Sequence, residues 1–265
     1  MYVTNKKWIK VPLELFRGGY WNWDTSRVQN MNKMFKFCSS LISLDLNHFN
    51  TIKVKNMASM FEGCSSLIEL KISNFITTSV TNMANMFSKC EKVASLDVSG
   101  FETSKVTNMK NMFTSCKEIT TINLSNFNTE KVTNMNKMFD GCSSLLYIDI
   151  SNFNTQMTSD FGKMFSGCIS LTSINLSNIN TTSVTNMERM FYNCISLTSL
   201  DLSSFNTLNT DNMVSMFEGC EKLEYINMKN FVDNTNLDVT NIFKNTGDFI
   251  YCSNREHIPL VVSEI

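Results

Sequence analysis

Two prolines, two histidines and nine glycines are spread through 265 residues. Pro12 and Pro259 lie near the two ends, so nothing between them is stopped by a fixed φ or a missing N–H. His48 and His257 have no nucleophile motif beside them, and G-x-S-x-G, Walker A and G-x-G-x-x-G patterns are absent. No catalytic residue and no cofactor are therefore expected. A charge excess is missing too: 23 basic residues stand against 24 acidic ones, for a net charge of −1. That argues against a nucleic-acid partner, which needs a basic stripe to neutralise phosphates. There is no apolar run of 18 residues, so no transmembrane helix is encoded. Close Cys pairs of the zinc type are absent, so no metal site is expected. At 43% hydrophobic residues, the chain can bury a core.

What is abundant is also periodic. Cys38, Cys64, Cys90, Cys116, Cys142, Cys168, Cys194 and Cys220 are each 26 residues apart. Phe35 begins a column that keeps the same step to Phe243, and Met34 one that keeps it to Met216. A Thr column runs from Thr25 to Thr207 without exception. A fixed period in the range of about 20 to 50 residues marks a solenoid or related array. The length alone suggests two domains, but the unbroken register makes one array.

One repeat reads as two halves. In Glu69-Leu70-Lys71-Ile72 the apolar residues alternate with polar ones, the pattern of a short strand with one buried face. In the second half Met83, Met86, Phe87 and Cys90 fall at i, i+3, i+4 and i+7, which predicts a short helix of about two turns. Asn82 precedes that run, in a column that is always Asn or Asp, as a helix cap would be. Each unit is then strand, bend, helix and turn. The fold class expected is α/β: a single right-handed solenoid with a parallel β-sheet on the concave side and short helices on the convex side. Eight strands would make a continuous sheet roughly 40 Å wide.

Most columns are explained by packing. Fifteen of 18 methionines lie in two columns at helical spacing with Phe, which makes them core. The cysteines share that apolar face, and parallel neighbours suit disulfide geometry poorly, so buried free thiols are expected. The Thr column, between a Phe and the apolar run, is read as a repeated hydroxyl bond to backbone at a turn. The outward strand positions are the candidates for function. One column holds Asp45, Lys71, Asp97, Asn123, Asp149, Asn175, Asp201 and Asn227, and its neighbour includes Glu69, Tyr147 and Tyr225. Residues projecting from a solenoid sheet can meet a partner across a broad surface. The same alternation also avoids stacking like charges about 5 Å apart, so solvation is the competing explanation.

The strand motif, as in Leu197, Leu200 and Leu202, resembles the L-x-x-L-x-L of leucine-rich repeats. The full unit is Leu200-Asp201-Leu202-Ser203-Ser204-Phe205-Asn206-Thr207, with Val184-Thr185-Asn186-Met187 and Met190-Phe191 before it. It resembles a bacterial surface-protein family of 26-residue, BspA-like leucine-rich repeats found in mycoplasma-type surface lipoproteins. The resemblance implies a non-enzymatic binding module, a cell-surface or secreted adhesin or recognition protein with a protein or glycan partner such as host surface or matrix. The residues from Met1 to Leu15 hold Lys6, Lys7 and Lys10 but no apolar core or lipidation cysteine, so no signal peptide is expected there. That leaves an intracellular protein-interaction scaffold as the alternative. A monomer is expected.

Three regions follow: an N-terminal cap over 1–22 with Trp8, Phe16, Tyr20 and Trp21, eight repeats over 23–230, and a degenerate ninth repeat with a C-terminal cap over 231–265.

Overall fold

The computed structural model describes residues 23–253 and 258–265. The expected N-terminal cap and His257 lie outside the described residues. Seven three-residue strands recur along the chain: β1 Ser43–Asp45, β2 Glu69–Lys71, β3 Tyr147–Asp149, β4 Ser173–Asn175, β5 Ser199–Asp201, β6 Tyr225–Asn227 and β7 Ile250–Cys252. The one helix among the described residues, α1 (Pro259–Ser263), follows them. All pairings are parallel; the partners are 26 residues apart in the first three, as in Leu44 with Leu70, and 25 apart between β6 and β7. The architecture is a parallel solenoid of about eight turns.

Two expectations are corrected. The first is the continuous sheet. The strands form separate ladders, β1-β2, β3-β4 and β5-β6-β7, and residues 95–97 and 121–123 carry no strand at all. A three-residue strand makes too few ladder bonds to impose pairing where another part of the repeat sets the spacing. That other part is a second ladder of single bridges, which runs without a gap from Asn30 through Asn56, Asn82, Asn108, Asn134, Asp160, Asn186 and Asn212 to Asp238.

The second correction concerns the helices. Met83 to Cys90 is not helical but a run of three overlapping turns, closed by Met86 N–H to Met83 C=O (3.1 Å), Ser88 to Asn85 (3.2 Å) and Cys90 to Phe87 (3.1 Å). The intervening N–H groups of Met83, Asn85, Phe87 and Lys89 donate instead to Asn108, Lys110, Met112 and Thr114 of the next repeat, at 2.7–3.1 Å. Asn85 and Lys89 are left-handed, with φ of 57° and 60°, at the third position of their turns, where such turns require it. A left-handed residue at every fourth position cannot propagate a helix, and the inter-repeat bonds offset its cost of about 1–2 kcal/mol. The spacing still places Met83, Met86, Phe87 and Cys90 inside, all buried. Four repeats put glycine at the second left-handed position: Gly63, Gly141, Gly167 and Gly219. The Asn column keeps the bond expected of a cap: Asn82 Oδ1 accepts from Ala84 N–H at 3.0 Å, but it opens a turn run.

The core is a set of stacked columns. From Phe35 to Phe243, successive Phe rings lie 5.4–5.9 Å apart and within 10° of parallel. The threonines do more than turn the chain. Thr103 Oγ1 donates to Asn128 C=O at 2.9 Å and accepts from Asn128 N–H at 2.8 Å, so one buried hydroxyl joins neighbouring repeats twice. Thr51, Thr155, Thr181 and Thr207 do the same. Thr103→Val keeps the shape but strands the part-buried N–H and C=O of Asn128. The expected loss is about 3 kcal/mol in denaturant unfolding, with Thr103→Ser close to wild type. Equal stability of the valine and serine variants would refute the double bond.

Candidate functional site

The outward strand columns lie where the alternation places them. Asp45, Glu69, Lys71, Asp97, Asn123, Tyr147, Asp149, Asp201 and Tyr225 are exposed; Asn175 and Asn227 are half-buried. Between them Leu44, Leu70, Ile148, Leu200 and Ile226 point into the core and are buried.

The Asp/Asn column also has a structural task that its alternation did not reveal. Oδ1 of Asp45, Asp97, Asn123, Asp149, Asn175, Asp201 and Asn227 each accepts the N–H two residues on, at 2.9–3.3 Å. Each thereby opens the bend after its strand, which explains why the column holds Asp or Asn. Lys71 is the exception and pairs instead with Glu69 at 3.2 Å. Bonds from the side chain and N–H of Ser99 hold the Asp97 carboxyl below the usual carboxylate range. At Asp149 the N–H and side chain of Ser151 do the same, with smaller help from Asn175 and Tyr147. Both carboxylates are therefore ionised at neutral pH. The sequence signal for the turn role was present in the Ser two places after Asp97, Asn123, Asp149, Asn175 and Asp201.

The face also has a cleft. Where residues 121–123 fail to pair with β3, a space of about 330 Å³ opens, lined by Thr121, Ile122, Asn123, Leu124, Ser125, Tyr147, Asp149, Ser151 and Asn152. Asn152 Nδ2 closes its floor by donating to the carbonyls of Leu124, Ser125 and Phe127 at 3.1–3.2 Å. Sequence reasoning missed this cleft, because the repeat pattern is unbroken across it. A second, larger space of about 530 Å³ lies on the bends of the last repeats, between Thr182 and Asn236.

The core cysteines offer no reactive group on this face, whereas Cys252, opposite Asn227 at the end of β7, is a free and exposed thiol. From Cys64 to Cys220, seven buried thiols each donate to the carbonyl of a Phe one repeat back, as Cys142 Sγ does to Phe113 at 3.2 Å. Desolvation raises their pKa values, to about 12 at Cys64, Cys142 and Cys220. No group of three His, Cys, Asp or Glu side chains that could hold a metal occurs among the described residues. No helix among them is long and apolar enough to cross a membrane.

A parallel repeat solenoid with an outward row of polar and aromatic side chains defines the class: a repeat array that presents one extended face to solvent. The chain belongs to the family described as "Mycoplasma protein of unknown function, DUF285", whose profile matches residues 13–95, 39–145, 107–231 and 147–253. None of the curated proteins compared with the chain matches it. Among solved structures, a leucine-rich repeat protein from Bacteroides ovatus is 21% identical, over 84% of this chain and 58% of that one, with a TM-score of 0.43. The T. pallidum leucine-rich repeat protein is 18% identical, over 63% and 69%, with a TM-score of 0.43. A leucine-rich cell surface protein from Faecalibacterium prausnitzii is 18% identical, over 87% and 78%, with a TM-score of 0.29. The chain thus spans less than two thirds of the Bacteroides ovatus protein.

Proposed function

We propose that this protein is a non-enzymatic binding module, displayed at the cell surface or secreted, that meets a protein or glycan partner with its strand face. The observation that carries the reading is the outward row itself. At each strand the inward residue is taken up by the core, while the residues on either side of it project from the rigid array. By the crossover rule the path is right-handed, and with the bulkier turn runs behind it the strand face is the concave one. Rigid presentation lowers the ordering cost of binding.

A second reading, an intracellular interaction scaffold, is favoured by the seven buried, unoxidised thiols, since reduced cysteines are usual in reducing compartments.

The test replaces Asp45, Asp97, Asp149 and Asp201 together by Asn. Each Asn keeps the oxygen that opens the bend, while four charges leave the face. Capture from cell-surface extract and from cytosolic extract is compared for the two proteins. A surface partner held by the wild type and lost in the folded variant supports the adhesin. A partner only in cytosolic extract supports the scaffold. Equal capture by both proteins refutes recognition through the acidic column.

A further inference from the structure

We infer that the cleft between residues 121–125 and 147–152 is a binding subsite for a neutral carbohydrate, with Tyr147 as its platform and Asn123 as its hydrogen-bond donor. The inference rests on the strand-face reading above and narrows it to a place and a ligand chemistry.

The cleft exists because the strand ladder is open there. Leu146 N–H still donates to Thr120 C=O at 2.9 Å, but beyond that bond the two repeats part until the bends. The opening of about 330 Å³ is at the lower end of ligand-pocket volumes, which begin near 300 Å³. It suits one or two sugar rings rather than a folded domain.

The chemistry of the lining selects the ligand. It contains no Lys, Arg or His. Its one charged group, Asp149, is ionised and already receives bonds from its neighbours. An anionic ligand would meet this carboxylate with no cation to offset the repulsion. The unused capacity is neutral. Asn123 spends its oxygen on Ser125 N–H at 3.0 Å, and its amide donors have no partner among the described residues. The Thr121 hydroxyl has none either. Tyr147 stands at the mouth with 44% of its surface exposed, beside exposed Leu146. An exposed aromatic face next to free amide and hydroxyl groups matches a pyranose ring, which has C–H groups on one face and hydroxyls around its rim. Tyr225 occupies the same column three repeats on, but it pairs within the intact ladder of β5, β6 and β7 and does not line this cleft.

The test is saturation-transfer NMR on the full chain with lactose, maltotriose and cellotriose, and with 3′-sialyllactose as the anionic comparison. Three variants accompany it, each checked for a wild-type circular dichroism spectrum. Tyr147→Ala removes the platform. Asn123→Asp keeps the bend-opening oxygen but loses the amide donors. Ile76→Ala, at an exposed bend position outside the strand columns, is the control. The expected result is transfer to the ring protons of at least one neutral sugar, weakened about tenfold in Tyr147→Ala and in Asn123→Asp and unchanged in Ile76→Ala. No transfer to any neutral sugar, preference for the sialylated one, or equal binding by Tyr147→Ala overturns the inference. If the fourfold Asn variant still loses a protein partner in that case, the strand-face reading stands and only the carbohydrate subsite falls.

Discussion

Raising the pH to about 10.5 is expected to unfold the solenoid in one steep step. The cause is the cysteine column. Burial lifts all seven thiols from Cys64 to Cys220 above their ordinary value of 9.0, to about 12 at Cys64, Cys142 and Cys220. These groups are protonated in both states below about pH 9, and there they leave stability untouched. Above that, the unfolded chain loses its thiol protons while the folded chain keeps them, so stability falls at least until Cys64, Cys142 and Cys220 titrate near about 12. At pH about 10.5 each thiol costs about 2 kcal/mol, and seven together about 14 kcal/mol. That matches the whole stability of a typical domain, about 5–15 kcal/mol. Circular dichroism during an alkaline titration reads the step. In a variant with Cys116, Cys168 and Cys194 changed to Ala, the slope of stability against pH should fall to about four sevenths. A slope unchanged by those substitutions would assign the alkaline transition to other groups.

Deleting residues 240–265 is expected to make the protein aggregate. The last described turn is sealed by that segment in three places. β7 pairs with β6, continuing the ladder by one strand. Phe243, the last ring of the stack, covers Phe217, with centroids 5.4 Å apart. Ile258 and Val261 are buried, and Leu260 N–H bonds to the Asp233 carboxylate, which ties α1 to the bend of the final repeat. Removing these elements opens the hydrogen-bonding edge of β6 and uncovers the ends of the apolar columns. An exposed edge beside an open apolar layer is a template for pairing with another chain. Size-exclusion chromatography with light scattering reads the outcome. A monodisperse monomer after the deletion would falsify the proposal that residues 231–265 act as a cap.

How much of this was legible in the sequence differs from column to column. The identity of each buried column could be read directly, because the inward set Met83, Met86, Phe87 and Cys90 recurs at the same step through the eight full units, with Phe161 the one replacement. The backbone that presents it could not. A helix and a run of overlapping turns put the same residues on one side, and only the destination of the alternate N–H groups separates them. Those groups bond to residues 25 positions away, as Phe87 does to Met112. The glycines before four of the cysteines were the one local hint, and they fit a helix exit equally well. The Asp/Asn strand column was correctly placed outside, but its turn-opening bonds were hidden by the charge alternation that seemed sufficient to explain it.

What the sequence determined alone is the repeat: its period, its register, the inward and outward residues, and the absence of enzyme motifs. These are local or strictly periodic properties, set by side-chain chemistry at fixed spacing. Only the tertiary structure decided which ladder holds the repeats together, that the Thr hydroxyls join neighbours rather than merely turning the chain, and that the sheet opens beside Tyr147. Each of these depends on how one repeat bonds to the next, and near-identical repeats can bond differently at different junctions.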